Sequence, residues 1–90
     1  MLKVVASSHF KKDLKNAEKR GYDFSLLRQV VNILAAEEPL PPKNRDHALV
    51  GNYVGCRECH VAPDWLLIYQ INGDALELLL MRTGTHSDLF

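Results

Sequence analysis

The chain has few cysteines, no long apolar run and no net charge, and each shortage narrows what it can be. No stretch approaches the roughly 18 apolar residues that span a bilayer. The first residues, Met1 to Ser8, hold too short an apolar core for a signal peptide. The expected compartment is therefore the cytoplasm. No glycine-rich phosphate loop and no standard metal motif is present. The two cysteines stand in Cys56-Arg57-Glu58-Cys59-His60. This string matches the c-type haem attachment motif, but no export signal accompanies it and the segment reads as a strand. In an extended strand, residues three apart lie roughly 10 Å from each other and face opposite ways, which precludes a disulfide. A zinc site from Cys56, Cys59 and a histidine lacks an evident fourth ligand.

The chain does have apolar residues, at 47% of its 90 positions, enough for a folded chain rather than a disordered one. Its length suits one small domain over residues 1–90, with one modest core. The zero net charge hides an asymmetry. Residues 1–45 hold nine Lys/Arg against five Asp/Glu, and residues 46–90 hold two against six. The basic half suits RNA phosphates or an acidic protein, though an ordinary solvated helix face accounts for it equally well.

Leu2 to Ala6, with two adjacent valines, reads as a strand. Ser7 or Ser8 can cap a helix whose apolar face is Phe10, Leu14 and Ala17, with Lys11, Lys12, Lys15 and Lys19 largely opposite. Gly21 suits its stop. Asp23 can cap a second helix with Phe24, Leu27, Val30, Val31 and Leu34 on one side, ended by Pro39. A short connection makes the two an antiparallel hairpin. Residues 39–51 form a proline-containing loop. Asn52 to His60 reads as a strand kinked at Gly51 and Gly55. Trp65 to Ile71 is a strand, Asn72-Gly73 signals a type I′ turn, and Ala75 to Arg82 is a leucine-rich return strand expected at the sheet centre. Thr83-Gly84-Thr85 breaks it. The order β-α-α-β-β-β predicts an α+β sandwich, a helical hairpin on a mainly antiparallel four-stranded sheet.

Histidines are the side chains that point to chemistry. Three of the four fall in the second half: His47, His60 and His86. Imidazole moves protons near neutral pH. Positioned imidazoles with an arginine supply what phosphodiester cleavage needs, namely a base, an acid and a cation. Asp64 flanks a turn after His60. Arg82 can hold a phosphate with its fork of donors, and Trp65 or Phe90 can stack on a base. Each also has an ordinary reading: Trp65 as core, Arg82 as an ion pair, Asp64 as a turn residue. Cleavage through the ribose 2′-OH would suit this set.

Three blocks carry a resemblance: Arg45-Asp46-His47-Ala48-Leu49-Val50-Gly51; His60-Val61-Ala62-Pro63-Asp64-Trp65-Leu66-Leu67-Ile68-Tyr69; and Arg82-Thr83-Gly84-Thr85-His86-Ser87-Asp88-Leu89-Phe90. Together, and over the full length, they resemble the YafQ-type toxins of the RelE/ParE superfamily. The resemblance implies a microbial-ribonuclease-like fold and ribosome-dependent cleavage of mRNA in the A site; no cofactor is expected, because imidazoles can do the proton work. It implies inhibition by a DinJ-like ribbon-helix-helix antitoxin. It assigns catalysis to His47, His60, Asp64 and His86, with support from Phe90. The lysines Lys11, Lys12, Lys15 and Lys19 are then expected to meet ribosomal RNA. The chain departs from the family in being neutral where ribosome-binding members are usually basic. C-x-x-C is not part of the family's motif, so the cysteines are read as incidental. A ParE-like inhibitor of DNA gyrase is the alternative, and it has no need of three imidazoles at these positions. A metal- or haem-binding module built on Cys56, Cys59 and His60 is a third and weaker reading.

Overall fold

A computed structural model describes all 90 residues. Strand β1 (Lys3–Ala6) leads into helices α1 (Ser8–Lys19) and α2 (Phe24–Ala35). Then come β2 (His47–Ala48), β3 (Arg57–Ala62), β4 (Trp65–Asn72), β5 (Glu77–Gly84) and a final turn of helix, α3 (His86–Leu89). Both long helices start on the expected caps. The Ser7 hydroxyl accepts from the Phe10 amide at 3.0 Å, and the Asp23 carboxylate accepts from the Ser25 amide at 3.0 Å. α1 buries Phe10 and Ala17, and α2 buries Leu27, Val30, Leu34 and Ala35. Gly21, at φ 74°, takes the left-handed turn between them.

The strands form one sheet in the order β1-β5-β4-β3-β2. β1 runs parallel to β5 and every other pairing is antiparallel. The sheet has five strands, not the four expected. The fifth is β2, and two residues are too short to show a period in sequence. β4, not β5, is the central strand. Trp65 through Tyr69 are buried without interruption, because both faces of β4 are covered. On one face the helices and sheet enclose the main core, including Phe10, Leu34, Cys59, Trp65, Leu67, Tyr69 and Leu78. On the other face Leu66, Ile68 and Leu89 form a smaller core, flanked by Leu49, Tyr53, Cys56 and Met81.

Three boundaries differ from expectation. The strand expected from Asn52 starts at Arg57, because Gly51 and Gly55 take φ of 72° and 88° around a 3₁₀ turn at Gly51–Tyr53. The β4–β5 connection is longer than a two-residue Asn-Gly turn and spans residues 73–76. The Asn72 carboxamide accepts from the Ala75 amide at 3.3 Å, and Leu76 takes the left-handed conformation, φ 55°. β5 continues to Gly84, since Thr83 and Gly84 still pair with Leu67 and Leu66. No helix is long and apolar enough to cross a membrane.

Candidate active site

Strand register gathers most of the expected residues on the face opposite the helices. His47 pairs with Glu58, Glu58 with Ile68, and Ile68 with Arg82, so these four form a row across β2, β3, β4 and β5. His60, Leu66 and Gly84 form the next row. Strands lie about 4.8 Å apart, so a row of this kind spans roughly the length of a dinucleotide. Gly84 leads directly into α3. Leu89 of that helix packs on Leu66 and Ile68, which brings His86 and Phe90 back over the same face. The His86 and Phe90 rings stand 5.5 Å apart, and Phe90 meets Tyr53 edge-on at 5.6 Å. Phe90 is 60% exposed, so its ring is available to a ligand.

Local bonds orient two of the imidazoles. His47 Nδ1 lies 2.8 Å from the Arg45 carbonyl, and His60 Nδ1 lies 3.3 Å from the Pro63 carbonyl. A carbonyl only accepts, so each neutral ring donates through Nδ1 and keeps its lone pair on Nε2. His47 Nε2 faces the Glu58 carboxylate at 3.6 Å. Glu58 is 3% exposed, so a carboxylate stands behind an exposed imidazole. No three His, Cys, Asp or Glu side chains converge as a metal-binding group.

The loop carrying His47 is clamped from the helix side. The Asp46 carboxylate accepts from the Tyr69 hydroxyl and from Arg57 Nε, the latter at 3.2 Å. Burial, and then the bond to Asp46, push the Tyr69 hydroxyl well above its ordinary pKa, so it remains a donor. Neighbouring residues in an extended segment point opposite ways. Asp46 can therefore anchor the start of β2 on one side while His47 lies on the other, beside Glu58.

Arg82 is held by Asp13 of α1. Its Nε and Nη2 donate at 2.7 and 3.1 Å, and Asp13 also accepts from the Thr83 amide at 3.1 Å. The pairing raises the pKa of the guanidinium, which is charged at any working pH. α3 is tied to α1 in the same way. Asp88 accepts two bonds from Arg20 and completes a capping box with Thr85. These bonds hold the Asp88 carboxyl below its usual range.

Two expected residues lie elsewhere. Trp65 is 3% exposed and packs between Tyr22 and Phe24, with its indole N–H donating to Thr83 at 2.8 Å. It is a core residue and cannot stack on a base, because both its ring and its donor are already used. Asp64 is exposed at the β3–β4 turn and lines a recess of about 240 Å³ with Tyr22, Asp23 and Leu26. It forms no side-chain hydrogen bond, and the structure pairs it with none of the histidines. Lys11, Lys12, Lys15 and Lys19 are all exposed along α1. The cysteines serve opposite faces, Cys56 flanking the smaller core and Cys59 within the main one. Burial pushes the Cys59 thiol up to about 12.

Sequence reasoning did not single out Glu58, Asp13 or Asp46. Two of them carried a signal. Glu58 is two residues from His60 on a strand and so shares its face. Asp13 is a charge beside the apolar stripe of Phe10, Leu14 and Ala17. The bond from Tyr69 to Asp46 crosses 23 residues and left no local trace.

Comparison with known proteins gives the family. Residues 2–90 match the family described as a bacterial toxin of type II toxin–antitoxin systems, YafQ. The mRNA interferase toxin YafQ of Escherichia coli K12 is 41% identical over 88 residues, covering 97% of this chain and 94% of that protein. A crystal structure of a metal-bound toxin from Helicobacter pylori superposes with a TM-score of 0.94 at 50% identity, covering 100% of both chains. The E. coli DinJ-YafQ complex gives a TM-score of 0.90 at 38% identity, covering 100% of this chain and 99% of that one. The chain belongs to the YafQ family of bacterial type II toxin–antitoxin toxins.

Proposed function

We propose that this toxin is a ribosome-dependent endoribonuclease that blocks translation by cleaving mRNA in the A site. The E. coli K12 relative named above is called an mRNA interferase, which does not favour the gyrase-inhibitor alternative. The observation that carries the reading is the pair of imidazoles, His47 and His60, each tied through Nδ1 to a carbonyl on one sheet face. One imidazole Nε2 takes the proton of a ribose 2′-OH. The 2′-oxygen then bonds to the adjacent phosphorus, and the bond to the 5′-oxygen breaks. A second imidazolium, from among His47, His60 and His86, protonates that leaving oxygen. Arg82 stabilises the phosphorane charge, with Asp13 fixing its fork. Phe90 supports a base by stacking. The products are a 2′,3′-cyclic phosphate and a 5′-hydroxyl.

Imidazoles perform both proton transfers in this scheme, so it needs no metal ion. Asp64 enters through the β3–β4 turn, whose Pro63 carbonyl holds His60. Lys11, Lys12, Lys15 and Lys19 form the face that meets ribosomal RNA, and a DinJ-like ribbon-helix-helix antitoxin is the partner that silences the toxin. The site of action is the cytoplasm. Induced expression in bacteria, with and without the neighbouring open reading frame, tests the reading. Growth and translation should stop without the neighbour and recover with it. Undisturbed growth at high, soluble expression would contradict it.

A further inference from the structure

Beside His60 lies a cleft of about 540 Å³ whose polar lining carries one sign of charge. Lys43, Asn44, Arg45, His60, Pro63 and Leu26 line it, and no carboxylate does. Neither Lys43 nor Arg45 forms an ion pair, whereas Arg20, Arg57 and Arg82 each do. Two unpaired cations and an imidazole therefore share one concave surface.

The backbone there is shaped to hold them. Asn44 is buried, and its amide donates to the His60 carbonyl at 2.6 Å, which fixes the 3₁₀ turn Pro42–Asn44 against β3. Arg45 then takes the left-handed conformation, φ 47° and ψ 48°. Glycine or asparagine would fit this conformation more easily than arginine. The strained backbone turns the Arg45 carbonyl to His47 while its side chain borders the cleft beside His60. Arg45 thus relates to both histidines, its carbonyl bonded to His47 and the residue itself lining the cleft with His60.

We propose that this cleft is a phosphate subsite for single-stranded RNA, in which Lys43 and Arg45 hold a backbone phosphate next to the one that is cleaved. The proposal deepens the nuclease reading by extending its RNA path from the His47–Arg82 row around the end of β3. Lys43 and Arg45 bind substrate and take no part in proton transfer.

The test is the salt dependence of binding to a short single-stranded RNA with 2′-methoxy riboses, which cannot be cleaved. Fluorescence anisotropy gives the affinity across a salt titration. A contact to a single-strand phosphate contributes about 0.7 to the slope of log K against log salt. Lys43→Ala together with Arg45→Gly removes the one phosphate contact and should therefore flatten the slope by about 0.7 and weaken binding at low salt. Glycine suits the left-handed backbone, so the melting temperature should not fall. Lys43→Ala alone, at an exposed position, leaves Arg45 on the phosphate and should flatten the slope by less than the double variant does. Lys3→Ala, on β1 at the far edge of the sheet, should change nothing. Wild-type slope and affinity in the double variant would overturn the subsite. Cleavage of mRNA on programmed ribosomes is scored separately. Slopes that depend on Lys43 and Arg45 without any cleavage would uphold the subsite and sink the nuclease reading. Cleavage with unchanged slopes would do the reverse.

Discussion

At the scale of single residues, the site works by restricting what each imidazole can do. A histidine free in solution exchanges tautomers, but His47 and His60 are each fixed at Nδ1 by a carbonyl, and His47 Nε2 also faces the Glu58 carboxylate at 3.6 Å. His9 offers a comparison within the same chain, being exposed near the start of α1 and outside the three motif blocks, in a recess with Tyr53, Met81 and Arg82 and not with His47 or His60. His47→Ala, His60→Ala, Asp64→Ala and His86→Ala should each slow cleavage, by about 10²–10⁴-fold where a proton-transfer group is lost. His86→Ala should cost the most, and His9→Ala should cleave like wild type. Cleavage rates beside a thermal melt of each variant decide this. If all variants lose stability together, these positions serve folding instead. Asp64 is the sharpest case, since the structure gives it no histidine partner.

At the scale of elements, β2 and α3 are short pieces that cannot hold themselves, and each is fastened by side chains from distant sequence. β2 depends on Asp46, gripped by Tyr69 and Arg57. Tyr69→Phe removes a buried donor while keeping the ring. It should cost about 1–2 kcal/mol of stability and should lower kcat more than it raises KM, as His47 loses its fixed place. A parallel rise in KM with unchanged kcat would show that Asp46 does not position His47. α3 depends on Arg20, Asp88 and Gly84. A Cβ at Gly84 would lie 2.8 Å from Asp88 Oδ2 and 3.0 Å from its Cβ, so Gly84→Ala should displace α3. The measurable result is lower thermal stability together with reduced cleavage. A variant that melts and cleaves like wild type would show that α3 is not seated on Gly84.

The same anchor sets an acid dependence. Asp88 is held below its ordinary pKa in the fold, chiefly by Arg20. The unfolded carboxyl titrates near about 3.9. Its contribution is therefore complete above that value and declines as pH falls through the lower folded pKa. Arg20→Ala should shrink the difference in melting temperature between neutral pH and the acid range below about 4. An unaltered acid profile in Arg20→Ala would mean that the ion pair does not stabilise the fold. The bond is largely solvent-facing, so its effect at neutral pH should be small.

These elements also explain what sequence could and could not reveal. The helices were legible because Phe10, Leu14 and Ala17, then Leu27, Val30 and Leu34, repeat at helical spacing behind a serine and an aspartate cap. β4 was legible as a strand, but its central place depends on neighbours and not on its own pattern. Leucines had suggested β5 for that place. β2 was invisible because it exists only through pairing with Arg57 and Glu58. The histidines stood out by residue type, and their motif blocks carried the family. Trp65 stood in the same block, yet its burial follows from Tyr22, Phe24 and Thr83, which lie far from it in sequence.

At the scale of the whole molecule, the fold divides labour between its two sheet faces. One face and the helical hairpin form the main core, and the other carries Glu58, His60, Arg82 and the returning α3. The ion pairs Arg82–Asp13 and Arg20–Asp88 join the two at the C-terminal end of β5, beyond its pairing with β1, so α1 helps to set the site while presenting Lys11, Lys12, Lys15 and Lys19 outward. The central claim is that this face cleaves RNA through imidazole proton transfer to and from the ribose and the leaving oxygen. Its most direct test is the chemistry of the cut ends, read on mRNA cleaved by purified toxin on programmed ribosomes. Attack by the 2′-oxygen should leave a 2′,3′-cyclic phosphate or 3′-phosphate and a 5′-hydroxyl, formed by wild type and not when a 2′-deoxy nucleotide occupies the cleavage position. A 5′-phosphate and 3′-hydroxyl, or undiminished cleavage at the 2′-deoxy nucleotide, would contradict it.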